Sequence, residues 1–361
     1  MILSQGMNTF ALFNRFAAFL IVLSPTVLAG CATASNTRVR STGAAQQDTT
    51  PVDAVVGPYM GAKPGSTPQL LAPTLLASPM QVYNGTFSPD GRTFFYTVEA
   101  RPKSVIAMTE MAADGSWSKP VVAPFSGPFT DYDPLFAPDG TKLFFSSQRP
   151  WPEAEYETSS LWHPRNKTHV WSMNRTANGW SIPVPVKLTD KGDYYNSLTT
   201  SGDLYFNVWA EGDIYRAKPT ADGYQVAKLG PSINDKGPVG DPFISPNGDY
   251  LIFRGYGPES MGLGDLFISF NIDGQWSVAQ NLGAPINSDA LEACPFVTAD
   301  GKMLIFASSR LQKLYNPAPK TPVSEVIAKY TSIDSGELNI YQVSTDFIER
   351  LRRTAKLPPQ P

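Results

Sequence analysis

"FSPDGRTFFYT", Phe87 to Thr97, is followed by a near copy, "FAPDGTKLFFSS", Phe136 to Ser147. Three looser copies complete the set: "LTTSGDLYFNV" from Leu198, "ISPNGDYLIFRG" from Ile244 and "VTADGKMLIFASS" from Val297. In each, small polar residues and a glycine shape a tight turn, and a run of aromatic and β-branched residues follows as a strand. The copies recur at intervals of roughly 46 to 62 residues, the mark of stacked supersecondary units.

Each unit continues in the same way. After the β-prone strand ("TFFYTV", "KLFFSS", "DLYFNV", "YLIFRG", "MLIFAS") come a loop and a third strand such as "HVWSMN", "GDIYRA", "GDLFISF" or "ELNIYQV". That strand turns back through "DGSWS", "NGWS", "DGYQV" or "DGQWS" into a fourth. Four strands per repeat, arranged radially, make an all-β β-propeller, with five blades expected and six as the alternative if residues 150–168 or 311–335 hide another. The fifth unit lacks a fourth strand and runs into a short C-terminal helix, "TDFIERLRRTAKL". The segment "TPQLLAPTLLAS" ahead of the first copy would supply the missing strand and close the ring. The aromatic after each outer turn, Trp117, Trp180, Tyr224 and Trp276, is expected to pack between blades.

The N-terminal stretch gives an address rather than a fold. An apolar run, "FAAFLIVLSPTVL", leads to Leu28-Ala29-Gly30-Cys31. This resembles the bacterial lipobox, which implies a signal peptide over 1–30, a lipidated Cys31 and, with Ala32 following, the periplasmic face of the outer membrane. Residues 31–66 are poor in large apolar side chains and read as a flexible tether; 67–361 is the propeller. Beyond Cys31 the only cysteine is Cys294, so stability rests on packed area rather than an internal disulfide. A net charge of −3 without a basic stripe argues against nucleic acid. The "SPDG" turn, aromatic strand and G-D/E-[IL] third strand resemble the WD-repeat-like repeats of TolB-like periplasmic propellers over about residues 67–345, with "TTSG" and "TADG" departing from the pattern. The resemblance implies a periplasmic binding or scaffolding propeller and no particular activity.

Propeller geometry puts the "PDG" turns on one face and the channel mouth on the other. Residues seven to nine before each turn glycine fall at that mouth: Asn84, Asp131, Asp133, Asp193, Asp241, and Glu292 with Cys294. Arg101, Arg149, Arg254 and Arg310 leave the second strands on the same face. Acids beside arginines suit either a polar ligand or salt bridges between blades. The longest loops, Pro150 to Thr168 and Leu311 to Ser335, rise over this face with "GYGPESMGLG"; Trp151, Tyr156, Trp162, His163 and Tyr315 would supply aromatic contacts. The expectation is an anchored binding propeller for an envelope protein, a polysaccharide or peptidoglycan. The alternative is a glycoside hydrolase using Asp133, Asp241 and Glu292. No cofactor is expected; His163 and His169 do not make a metal site, nor do Asp131 and Asp133 alone. Cys294 reads as a small core residue.

Overall fold

The computed structural model describes residues 54–100, 103–150, 167–208, 210–310, 317–335 and 337–359. The leader, Cys31, Arg101, Trp151, Tyr156, Trp162, His163 and Tyr315 lie outside the described residues. No helix among the described residues is long and apolar enough to cross a membrane.

The chain forms five antiparallel blades. A short strand β1 (Gln69–Leu70) is followed by helix α1 (Pro73–Leu76) and then by blade 1, β2 (Gln81–Phe87), β3 (Thr93–Ala100), β4 (Lys103–Glu110) and β5 (Val121–Val122). Blade 2 holds β6 (Asp131–Phe136), β7 (Lys142–Ser147) and β8 (His169–Thr176), with its outer edge split into β9 (Gly179–Trp180) and β10 (Val184–Pro185). Blade 3 is β11 (Asp193–Leu198), β12 (Leu204–Val208), β13 (Asp213–Thr220) and β14 (Gly223–Lys228). Helix α2 (Pro231–Asn234) leads to blade 4: β15 (Gly240–Ile244), β16 (Tyr250–Gly255), β17 (Asp265–Ile272), β18 (Gln275–Trp276) and β19 (Gln280–Asn281). Blade 5 is β20 (Glu292–Val297), β21 (Met303–Ser308) and β22 (Asn339–Ser344), with α3 (Val323–Tyr330) inserted between the last two. Innermost strands β2, β6, β11, β15 and β20 neighbour one another in that order, and β20 returns to β2.

The missing fourth strand of blade 5 is β1, which pairs antiparallel with β22, Gln69 opposite Gln342 and Leu70 opposite Tyr341. The ring is therefore closed by the N-terminal segment, as the sequence implies, and the edge of β22 is covered. Helix α4 (Asp346–Arg352) is shorter than the stretch that suggested it. It buries Phe347 and Ile348 and reaches blade 4, where Arg352 Nη2 donates to Asp249 Oδ2 at 2.9 Å and its guanidinium lies 4.7 Å from the Phe270 ring centre.

Each "PDG" turn places its glycine in the left-handed region, from Gly91 (φ 68°) to Gly202 (φ 88°), which a side chain would oppose. Ser88 caps the first turn, its Oγ accepting from the Thr93 N–H at 2.9 Å. One boundary differs from the sequence reading. Residues from Ala54 onward, assigned to the tether, pack on blade 1: the Tyr59 N–H donates to Gly91 O at 2.8 Å, and the Trp117 indole N–H donates to Gly57 O at 2.8 Å. The edge-to-face contact of Tyr59 with Phe87, at 5.2 Å, is what a composition scan could not foresee.

The blades meet through half-buried tryptophans set on buried aromatics. Trp180 of blade 2 packs on Phe95 of blade 1, at 6.5 Å, and Trp276 of blade 4 on Tyr205 of blade 3, at 6.3 Å. The expectation that these outer-turn aromatics join neighbours holds for both. Because Leu71 directly follows the closing strand and is 1% exposed, Leu71→Ala should cost about 2–5 kcal/mol in urea denaturation, the range of a central core truncation. A loss under about 0.5 kcal/mol would show that ring closure does not depend on this segment.

Candidate functional site at the channel mouth

Every innermost strand is interrupted at the same place. The ladder slips between Tyr83 and Thr86, Tyr132 and Leu135, Tyr194 and Asn196, Gly240 and Phe243, and Ala293 and Phe296. Inside each slip one non-glycine residue takes a left-handed conformation: Asn84 (φ 47°), Asp133 (54°), Tyr195 (43°), Asp241 (55°) and Cys294 (54°). These are β-bulges, repeated once per blade, and they re-aim one side chain per strand. Strain of this kind persists only where the surroundings fix it.

The surroundings here belong to the neighbouring blade. The Asp133 N–H donates to Thr97 Oγ1 of blade 1 at 3.1 Å, the Tyr195 N–H to Ser146 Oγ of blade 2 at 3.0 Å, and the Asp241 N–H to Asn207 Oδ1 of blade 3 at 2.8 Å. In blade 4 the matching second-strand residue is Arg254, which has no acceptor. The Cys294 N–H turns instead to the Asp241 carboxylate, at 3.4 Å. The Asn84 N–H lies against the Cys294 sulfur, completing the circle from blade 5 to blade 1.

Side chains of the five bulge residues meet in the channel. Asn84 Nδ2 donates to Asp133 Oδ1 at 2.9 Å, and Ser146 Oγ to Asp133 Oδ2 at 3.2 Å. Tyr195 crosses from blade 3 to blade 5, where its hydroxyl donates to Pro295 O at 3.2 Å and its ring packs with Ala293 and Cys294. Arg254 Nε donates to Asp241 Oδ2 at 2.8 Å. Burial pushes the Asp133 carboxyl up to about 7, against the Asn84 hydrogen bond and aided by the Asp241 charge. Burial, with the Asp241 and Asp133 carboxyls, also holds the Cys294 thiol well above its ordinary range, so it is no ready nucleophile.

The acids read together from the sequence separate into two sets. Asp131, Asp193 and Glu292, two residues earlier than the bulge, are fully buried. Asp131 and Glu292 are held by residues of their own blades and the loops entering them, whereas Asp193 is held by the loop entering blade 3 and lies against His169 of blade 2. Asp131 accepts from Ser147 Oγ at 2.6 Å, Ser126 Oγ at 3.0 Å and Arg149 Nη2 at 2.9 Å. Glu292 accepts from Ser288 Oγ at 2.6 Å, Ser308 Oγ at 2.8 Å and Arg310 Nη2 at 3.3 Å. Asp193 accepts from Thr189 Oγ1 at 2.5 Å and lies 3.7 Å from His169 Nδ1. Blades 2 and 5 thus share one device, acid, serine and arginine, with Arg149 over Phe145 at 4.8 Å and Arg310 over Phe306 at 5.2 Å. The picture of acids facing a ring of arginines is corrected accordingly. Arg149 and Arg310 pair within their own blades, and among the described residues only Arg254 of the four arginines serves the channel tier. In blade 3 the channel residue is Tyr195, not Asp193, and Thr97, Ser146, Asn207 and Gly240 were missed. A proline after the bulge in three blades, Pro134, Pro242 and Pro295, is the available signal, since it cannot donate to a ladder and marks where an inner strand is broken.

Among the described residues no cluster of three or more His, Cys, Asp or Glu is arranged to hold a metal ion. No protein-family model and no curated protein matches the sequence. Among solved structures, the chain is similar to a putative TolB from Agrobacterium tumefaciens, at 13% identity and TM-score 0.42, over 74% of this chain and 91% of that one. TolB from Acinetobacter baumannii matches at 13% identity and TM-score 0.43, over 74% and 55%. A gluconolactonase from Xanthomonas campestris matches at 14% identity and TM-score 0.38, over 70% and 94%. The likeness is one of fold.

Two outcomes follow from this division of the acids. Arg149→Ala strands the Asp131 charge and should cost about 3–5 kcal/mol in urea denaturation, whereas a loss under about 1 kcal/mol would mean that the pair is not a staple. Asp133 titrates from an unfolded value of 3.8 to about 7 in the fold, so the native state holds a proton that the unfolded chain releases. Its contribution is present below about pH 4 and is lost as pH rises through about 7. Thermal midpoints of the wild type should fall over that window relative to Asp133→Asn; parallel curves would refute the raised value.

Proposed function

We propose that this chain is a non-catalytic binding propeller of the bacterial cell envelope, anchored through Cys31. It engages an envelope protein or polymer through the face that carries the channel mouth and the loops leaving the second strands. The observation that carries the reading is the state of the carboxylates. A glycosidase needs two that are free to act on one bond. Glu292 is fully buried under Ser288, Ser308 and Arg310, and Asp241 is engaged by Arg254, which leaves Asp133 alone. The Leu28–Cys31 leader motif supports the envelope address.

The loops add contact surface of the right kind. Helix α3, within the insertion that leaves β21, exposes Val323 and Ile327 four residues apart, at 72% and 57%. On the loop leaving β16, Met261 and Leu263 are exposed. Apolar side chains gathered over one face of a rigid scaffold are typical of recognition surfaces.

The protein, immobilised and challenged with envelope extract and with peptidoglycan sacculi, should retain a partner without cleaving it. Ile327→Glu, an exposed substitution expected to move stability by no more than about 0.5 kcal/mol, should reduce retention at least tenfold. Release of reducing ends or peptides that disappears in Asp133→Asn would overturn the non-catalytic reading.

A further inference from the structure

We infer that the blade 4 corner of the channel mouth binds a carboxylate of the ligand, recognised by the outer edge of the Arg254 guanidinium in a slot made by Gly240. The inference rests on the binding role proposed for this face and names the chemistry of what is bound.

Gly240 is the starting observation. Eight residues before the turn glycine the five blades carry Tyr83, Tyr132, Tyr194, Gly240 and Ala293. Gly240 is no turn residue: it pairs in register with Arg254, and its backbone lies outside the left-handed region. What a side chain there would meet is Arg254. A Cβ would come 2.9 Å from Nη2 and 3.5 Å from Asn207 Oδ1. The glycine therefore makes room for the guanidinium at a place that three other blades fill with tyrosine.

Two of the three guanidinium nitrogens are engaged. Nε donates to Asp241 Oδ2 at 2.8 Å, Nη1 donates to the Tyr256 hydroxyl, and the Tyr256 ring centre lies 5.3 Å from the cation. Nη2 donates to none of the described residues, and the side chain keeps 21% of its surface exposed. Arg149 is the internal contrast: its Nη2 is used twice, on Asp131 Oδ1 and Phe125 O, and its side chain is 9% exposed. An arginine oriented by an aspartate, with Nη2 donating to none of the described residues, keeps a charged donor for a carboxylate oxygen.

Charge selects a carboxylate over a phosphate. Arg254 is already balanced in part by Asp241, and Lys236, whose stem runs beside Gly257, is engaged by Glu259. These two pairs leave the corner with no net positive charge, which disfavours a dianionic phosphate more than a monoanionic carboxylate.

Calorimetric titration of the full chain tests this with N-acetyl-alanyl-alanine, its C-terminal amide and inorganic phosphate. The free acid should bind at least tenfold tighter than the amide. Gly240→Ala should weaken the acid at least fivefold, and Arg254→Lys, which keeps the charge opposite Asp241, should narrow the preference for acid over amide. Equal affinity for acid and amide, or no measurable binding of either by the wild type, overturns the inference. Phosphate binding tighter than the acid overturns the choice of carboxylate. Partner retention on the loop face without acid selectivity would sink this inference alone; acid selectivity without any retained partner would sink only the proposed role of that face.

Discussion

The bulge in each innermost strand takes a backbone N–H out of the ladder and leaves it buried, where a missing acceptor is costly. The acceptor is supplied by the preceding blade: Thr97 for Asp133, Ser146 for Tyr195 and Asn207 for Asp241. No innermost strand in this series is satisfied within its own blade. The blades are bound to one another at the axis by hydrogen bonds that a single blade could not make, in addition to the apolar contacts farther out. Blade 4 departs from the pattern, and the departure creates chemistry. With Arg254 in the accepting position, the Asp241 carboxylate must take the Cys294 N–H, and the guanidinium balances the charge so introduced.

The same constraint divides the polar residues of the channel by role. Of the acids two positions before the bulge, Asp131 and Glu292 staple strand to strand and strand to loop at their own blades, and Asp193 joins the loop entering blade 3 and lies against His169 of blade 2. Bulge residues meet at the axis, where Tyr195 spans to blade 5. The Arg254 corner and Asp133, whose carboxyl burial raises, are the distinctive groups at the axis.

Much of the architecture was legible because repetition is legible. The turn glycines set the blade count, and the orphan third strand of blade 5 called for a partner that only the segment before Gln81 could provide. Counting back from those glycines lands on Asn84, Asp133, Asp241 and Cys294, which are bulge residues. It could not separate the two tiers, since an ordinary strand would aim residues seven and nine before the glycine at the same side. The bulge breaks that alternation, and only Pro134, Pro242 and Pro295 hint at it. Blade 3 misled further because the residue seven before its glycine is Tyr195, and the more conspicuous Asp193 stood two residues away. The arginines misled because like residues stood at unlike positions: Arg149 and Arg310 nine residues after the glycine, Arg254 six. Tyr59 and its contacts with the first turn were invisible to composition, which registers the scarcity of apolar residues and not where the few are placed.

Amide hydrogen exchange, resolved by residue, tests the inter-blade circuit most directly. The N–H groups of Asp133, Tyr195 and Asp241 should be among the slowest to exchange. In Asn207→Ala, a change made in blade 3, exchange at Asp241 in blade 4 should accelerate more than at the ladder amides of β12 itself. Fast exchange at all three bulge amides in the wild type, or an effect of Asn207→Ala confined to blade 3, would contradict the account.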